Sequence, residues 1–114
     1  MTCMLYSFSM YFSRIWRVKE GKVEKFRDWM KLLSTSRQEE AIATFAYEHV
    51  TREVFVEFAG DDGRTYVIGL NEATEPPRHG DPNVPINQEH RAIKEECLEP
   101  ITKAGEVLLD LKAK

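Results

Sequence analysis

Four side chains of this chain have the types and settings that chemistry needs: Arg17, Glu57, Asp110 and His90. An arginine offers a planar fork of donors that grips a carboxylate or phosphate. A carboxylate or imidazole held in an apolar cleft can pass a proton near neutral pH. Arg17 lies in an alternating run, Phe12–Lys19, and similar runs occupy Thr51–Ala59, Arg64–Asn71 and Glu106–Lys112. Alternation puts Ser13, Ile15, Arg17, Phe55, Glu57, Val67, Asn71, Leu108 and Asp110 on one side. The other side carries Trp16, Val18, Val54, Val56, Phe58, Tyr66, Ile68, Leu70, Val107, Leu109 and Leu111, the expected core. The first set is too apolar for open solvent and too charged for a dry interface, which suits a cleft that takes a small molecule. In that cleft Arg17 would hold an anionic group, Glu57 or Asp110 would move the proton, and Phe55, Val67 and Asn71 would line the ligand. The alternative is a plain dimer interface in which Arg17 pairs with Glu57 or Asp110.

His90 falls with Ile86, Ile93, Cys97 and Ile101 on one arc of a helical pattern. Apolar surroundings lower an imidazole pKa and keep it neutral. Beside Glu89 or Glu95 it could serve as a general base, or it could be a core histidine with one backbone hydrogen bond. His79 stands near Glu75 and Asp81 in a proline-rich loop, but their spacing matches no established metal site, and no metal is expected. His49 falls where a helix gives way to a strand, which favours a terminus role. Arg37, Glu39 and Glu40 could bind a carboxylate or make helix-face ion pairs.

These residues need a scaffold that brings them together. After the first alternating run, Val23, Phe26, Met30 and Leu33 recur at helical spacing, with Trp29 beside them and charges opposite. Ser34-Thr35-Ser36 interrupts the pattern, so Lys22–Glu48 reads as a bent helix or two consecutive helices broken near Thr35. Gly60-Asp61-Asp62-Gly63 reads as a hairpin turn. Glu75–Pro85, with Pro76, Pro77, Pro82 and Pro85, is a stiff loop that should cover the cleft or brace a partner. Asn87 is the expected N-cap of a helix over Gln88–Glu99, and Pro100 bends or ends it. The order βαββαβ predicts a ferredoxin-like α+β sandwich, an antiparallel sheet with helices on one face. Its uncovered face should then meet a second copy.

At 114 residues the chain is long enough for one domain, with 10–114 as that domain and 1–9 as an N-terminal extension. A net charge of −3 argues against a sequence-independent nucleic-acid binder. The order is shared with the RRM, but Arg64–Leu70 lacks the aromatic ladder that stacks RNA bases. No run is long enough to cross a bilayer. Cys3 and Cys97 have no metal or redox spacing, and a buried, reduced Cys97 suits the cytoplasm. There is no dinucleotide fingerprint, P-loop or nucleophile elbow, and no organic cofactor is expected.

Lys19-Glu20-Gly21-Lys22-Val23-Glu24, followed by Arg27, Trp29 and Met30, resembles the strand-to-helix start of the dimeric α+β barrel proteins. Within them the chain resembles a small bacterial family of unknown function, through Ser36-Arg37-Gln38-Glu39-Glu40-Ala41 and Glu89-His90-Arg91 as well. The similarity spans about Arg14 to Leu111. It implies a homodimer whose sheets pack face to face into a barrel. Relatives with that barrel include small monooxygenases, lactone isomerases, haem-degrading enzymes and stress-response proteins, so fold does not choose a function. The resulting expectation is a cytoplasmic homodimer that binds a small organic molecule in a cleft. A cofactor-independent enzyme, monooxygenase- or isomerase-like, is the alternative. With Phe55 on the uncovered face, Phe55→Asp should weaken the dimer more than Lys31→Asp.

Overall fold

The computed structural model describes residues 10–113. The chain runs β1 (Met10–Val18), α1 (Val23–Ser34), α2 (Gln38–Ile42), α3 (Phe45–Glu48), β2 (Val50–Ala59), β3 (Thr65–Ala73), α4 (Pro85–Cys97) and β4 (Leu98–Pro100). The strands form one antiparallel sheet in the order β2-β3-β1-β4. The helical run breaks after Ser34, where the hydroxyls of Ser34 and Thr35 bond back to the Met30 and Lys31 carbonyls. The β2–β3 hairpin closes at Gly60–Arg64. Gly63 takes φ 78° there, and the Asp62 carboxylate accepts the Arg64 N–H at 2.9 Å. Helix α4 starts earlier than expected, with Val84 as its N-cap and Pro85 preset for the first turn. Asn87 is not the cap. Its amide instead donates to the Asp81 carbonyl and ties the preceding loop to the helix.

Helices α1 and α4 pack on one face of the sheet. The core between them is Val18, Phe26, Val67, Cys97 and Leu98, with Trp16, Phe55, Met30 and Ile93 packed against it. Phe26 meets Phe55 edge-on at 6.1 Å, and Cys97 is a fully buried free thiol. Gly69 opposes Arg14 and Phe55 in the register, and a β-carbon there would lie 2.7 Å from the Trp16 ring and 3.1 Å from Phe55. Only hydrogen fits between the two aromatics.

The expected faces hold for β1 and are exchanged for β2 and β3. Trp16 pairs with Val67, and Val67 with Glu57, so Phe55, Glu57, Val67 and Asn71 lie under the helices. Val54, Val56, Phe58, Tyr66, Ile68 and Leu70 belong to the uncovered face instead of the core. Three cross-strand rows cross that face: Ser13–Leu70–Val54, Ile15–Ile68–Val56 and Arg17–Tyr66–Phe58. Period-two alternation fixes which residues share a side but not which side is buried, and both sides here are largely apolar. What decides is the helix surface. Arg27 of α1 reaches down and engages the Glu57 carboxylate, so that side can face the helices.

The fourth strand is also not where the alternation puts it. Leu98–Pro100 takes the edge of β1, and residues 106–112 form no strand. An edge strand tolerates proline because its outer N–H needs no partner, so Pro100 ends β4 and not the helix. Residues 1–9, assigned to an N-terminal extension, lie outside the described residues.

Candidate functional site

A cleft of about 700 Å³ opens between the helix-side face of the sheet and α4, under the loop after β3. That is ample for a small organic molecule. Trp16 and Asn71 belong to its sheet wall, His90 and Lys94 to its helix wall, and Glu48 and Glu53 project from α3 and β2. Pro77, Arg78, His79, Gly80 and Pro82 border it, so the proline-rich loop lies along the cleft, as a covering segment would. Arg78 fastens the loop by stacking on Tyr47, its guanidinium 3.8 Å from the ring centroid, and by donating to the Tyr47 carbonyl. The His49 ring adds a contact to the Pro76 carbonyl at 3.1 Å and lies 3.3 Å from Glu75. His49 is the C-cap of α3 in the left-handed region, φ 66°, so its role is at a terminus, as expected.

The cleft holds titratable groups displaced from their usual ranges. Burial raises the Glu53 carboxyl; Glu48 raises it further and Lys94 opposes this. Burial likewise raises Glu48. Burial lowers the Lys94 ammonium, which sits 4.7 Å from the Trp16 ring centroid. Asn71, with its amide nitrogen turned toward β2, donates to Glu53 at 3.2 Å and orients it. A carboxyl pushed up and an amine pushed down in one cleft both move toward the range where a proton is exchanged at neutral pH.

His90 is held by Trp29, whose indole N–H donates to His90 Nδ1 at 2.9 Å. Indole nitrogen only donates, so the imidazole is neutral and carries its proton on Nε2. Burial, and Lys94 after it, lower its pKa to about 4. His90 is therefore a hydrogen-bond donor at neutral pH, and general-base action would require breaking the Trp29 bond. The ring also meets Phe55 edge-on at 6.4 Å. Arg37 braces this arrangement from α2's N-terminal side. It lies 5.4 Å over Trp29 and bonds both Glu40, at 2.9 Å, and Glu89, at 2.6 Å. Trp29, Arg37, Glu40, Glu89 and His90 thus form one connected network, with ion pairs between helices rather than a ligand site at Arg37.

Of the other sequence-derived residues, Phe55, Glu57 and Val67 meet at a smaller pocket of about 210 Å³ with Phe26, Arg27 and Met30, apart from Arg17 and Asp110. Arg17 lies on the uncovered face and pairs with Glu99 at 2.6 Å, which holds that carboxyl below its usual range. Glu57 is on the opposite face with Arg27 at 2.5 Å, and Asp110 is in the exposed tail. The Arg17–Glu57–Asp110 cluster is therefore not formed, because β2 presents its other side and the fourth strand is a different segment. Phe55 and Val67 are core, leaving Asn71 and His90 as the expected residues that line the cleft. Glu53, Glu48, Lys94 and Trp16 were missed. Lys94 was findable, one helical turn after His90 on the same arc. Glu53 was findable once Phe55 was placed inward, since the two alternate onto one side. Among the described residues, no group of three or more His, Cys, Asp or Glu is disposed to hold a metal ion, and no helix is long and apolar enough to cross a membrane.

A family model described as a family of unknown function, DUF6176, matches residues 11–114. No curated protein and no solved structure matches the chain.

Proposed function

The chain belongs to the DUF6176 family, and on that premise we propose that it is a ferredoxin-like homodimer that binds a small organic molecule in the cleft between α4 and the sheet. The observation that carries the reading is the convergence of Trp16, Asn71, His90, Lys94, Glu48 and Glu53 from five elements onto one 700 Å³ space. Trp16 offers an aromatic face, while His90 Nε2–H, Lys94 and the carboxyls offer polar contacts. The ligand class is a planar or apolar body with a hydrogen-bonding head group. A thermal-shift screen of small metabolites tests it, since a ligand of the folded state raises Tm by mass action. Hits should lose their shift in Trp16→Ala and Glu53→Gln. Hits that shift both variants as much as the parent protein sink the reading. The second reading, a cofactor-independent enzyme, is favoured by the opposed displacements of Glu53 and Lys94. Consumption of a hit over time separates turnover from binding.

The strand order, with both long helices on one face, supports the ferredoxin-like assignment. The dimer is supported by the uncovered face, where Val56 is 52% exposed and Ile15, Ile68, Val54 and Leu70 surround it. A contiguous apolar sheet face of this kind is normally covered. A face-to-face pair of sheets would make the α+β barrel, with a cytoplasmic setting consistent with the free Cys97. Because Phe55 is core, the informative substitution moves to Val56. Val56→Asp should weaken the dimer about tenfold, roughly 1.4 kcal/mol, with the monomer fold intact. Equal dissociation constants by analytical ultracentrifugation for Val56→Asp and Lys31→Asp would remove the open face from the interface.

A further inference from the structure

Lys94 stands apart from the other described lysines. Lys19 donates to the Glu95 carbonyl at 2.7 Å, Lys22 to Glu96 at 3.0 Å and Lys25 to Glu96 at 2.7 Å. Lys31, Lys103 and Lys112 are exposed. Lys94 is half-buried, yet among the described residues nothing accepts a hydrogen bond from it, and its Nζ lies 4.7 Å over the Trp16 ring. An ammonium drawn out of water normally finds a carboxylate. Glu53 and Glu48 share the cleft with it, but neither comes within ion-pair reach, and Asn71 holds Glu53 at 3.2 Å. The nitrogen therefore ends in a space of about 700 Å³, against an aromatic face, with no counter-ion fixing it in the charged form.

A lysine in such a setting is suited to act as a nucleophile, because only the neutral amine carries a free electron pair. The charges around it agree. Burial lowers its pKa, Glu53 opposes this, Arg14 adds to the lowering and Glu48 opposes it again. His90, one turn earlier on α4, is neutral and leaves its Nε2–H to the cleft. We infer that Lys94 is an imine-forming lysine and that the ligand of the cleft carries an aldehyde or ketone group. The inference rests on the small-molecule cleft proposed above and names the functional group it takes. Nζ adds to the carbonyl carbon, the C=O π pair moves to oxygen, and the proton released by nitrogen passes to that oxygen through Glu53. The Glu53 carboxyl then protonates the carbinolamine hydroxyl, water leaves, and the nitrogen electron pair closes the C=N bond. The protonated imine has the same single positive charge as the ammonium it replaces, and the Glu53 carboxylate remains as its counter-ion. The planar or apolar body of the ligand lies against Trp16. A ligand carboxylate would meet Glu53 and Glu48 in the same space, whereas a carbonyl brings no charge.

The test treats the parent protein near neutral pH with stoichiometric benzaldehyde and, separately, propanal. Cyanoborohydride reduces any imine to a stable secondary amine, and peptide mass spectrometry locates it. With at least one aldehyde, Lys94 should take at least about tenfold more adduct than any other lysine, since each unit of pKa changes the neutral fraction tenfold. The reading is made on the parent chain and so does not depend on a variant folding. Lys94→Arg keeps the charge, cannot form an imine and should lose this adduct. Glu53→Gln should form it several-fold more slowly, still at Lys94. Adduct spread over the exposed lysines, while non-carbonyl molecules still give a Trp16-dependent rise in Tm, overturns the imine and leaves the cleft a binding site. Spread adduct with no Trp16-dependent rise overturns both. An unchanged rate in Glu53→Gln overturns the proton transfer assigned to Glu53.

Discussion

Gly69→Val lowers stability by about 3 kcal/mol, at the upper end of what overpacking costs, and abolishes the ligand response of the cleft. A β-carbon at this position meets the Trp16 ring at 2.7 Å and Phe55 at 3.1 Å. Both neighbours are rigid ring atoms rather than the loose end of a flexible side chain. Phe55 cannot retreat, because Phe26 and His90 stand against it at ring distances of 6.1 and 6.4 Å. Trp16 can move only toward the cleft, where Lys94 rests on its face. The two methyls of valine extend the clash that the β-carbon begins. Denaturant unfolding measures the first effect and thermal shift with a validated ligand the second. Gly69→Ala should fall between the parent and the valine variant. A valine variant within 1 kcal/mol of the parent, as small a cost as a volume-conserving core swap, would mean the Trp16–Phe55 gap closes by a shift of the sheet instead.

Gly69 also shows how far the sequence could be read. Alternation groups it with Val67 and Asn71 on one side of β3, and the α+β class with one antiparallel sheet followed from the order of the elements. The grouping could not say which side was inward, since Ile68, Leu70 and Val56 are as apolar as Val67 and Phe55. Charges misled as well. Glu53 and Glu57 on β2 suggested an outward side, yet Glu57 is matched by Arg27 and Glu53 is set into the cleft by Asn71. The last strand failed for a different reason: Val107, Leu109 and Leu111 have strand character, but propensity does not name a partner edge. Three residues of modest propensity, Leu98–Pro100, took the β1 edge because they leave α4 directly beside it. For the site, His90 and Asn71 were legible from periodicity, whereas the Trp29–His90 bond joins residues 61 apart and could only be seen in space.

The burial of His90, with Lys94 beside it, gives the protein a specific response to acid. His90 titrates at about 4 in the folded chain and at about 6.5 once unfolded. Between these values the unfolded state binds the extra proton, so stability falls as pH falls through this window. The loss from pH 7 to pH 4.5 is about 2 kcal/mol by linkage. The groups facing His90 must be counted with it. Lys94 also has a lowered pKa, but its stability effect belongs to the alkaline range, where the unfolded state holds its proton longer. Glu53 and Glu48 have raised pKa values and act in the opposite sense: the folded state binds their protons more readily, so acidification through that range stabilises it. The net acid slope therefore understates His90, and the comparison of two proteins isolates it. In His90→Gln the amide oxygen can accept the Trp29 indole N–H, and the group no longer titrates. Urea unfolding of both proteins at pH 7 and 4.5 should show the variant losing about 2 kcal/mol less than the parent. Trp29→Phe should leave the imidazole without its donor, raise its pKa and shrink the acid loss as well. Parallel losses in the parent and His90→Gln would show that the imidazole is solvated and that the cleft wall at His90 is open.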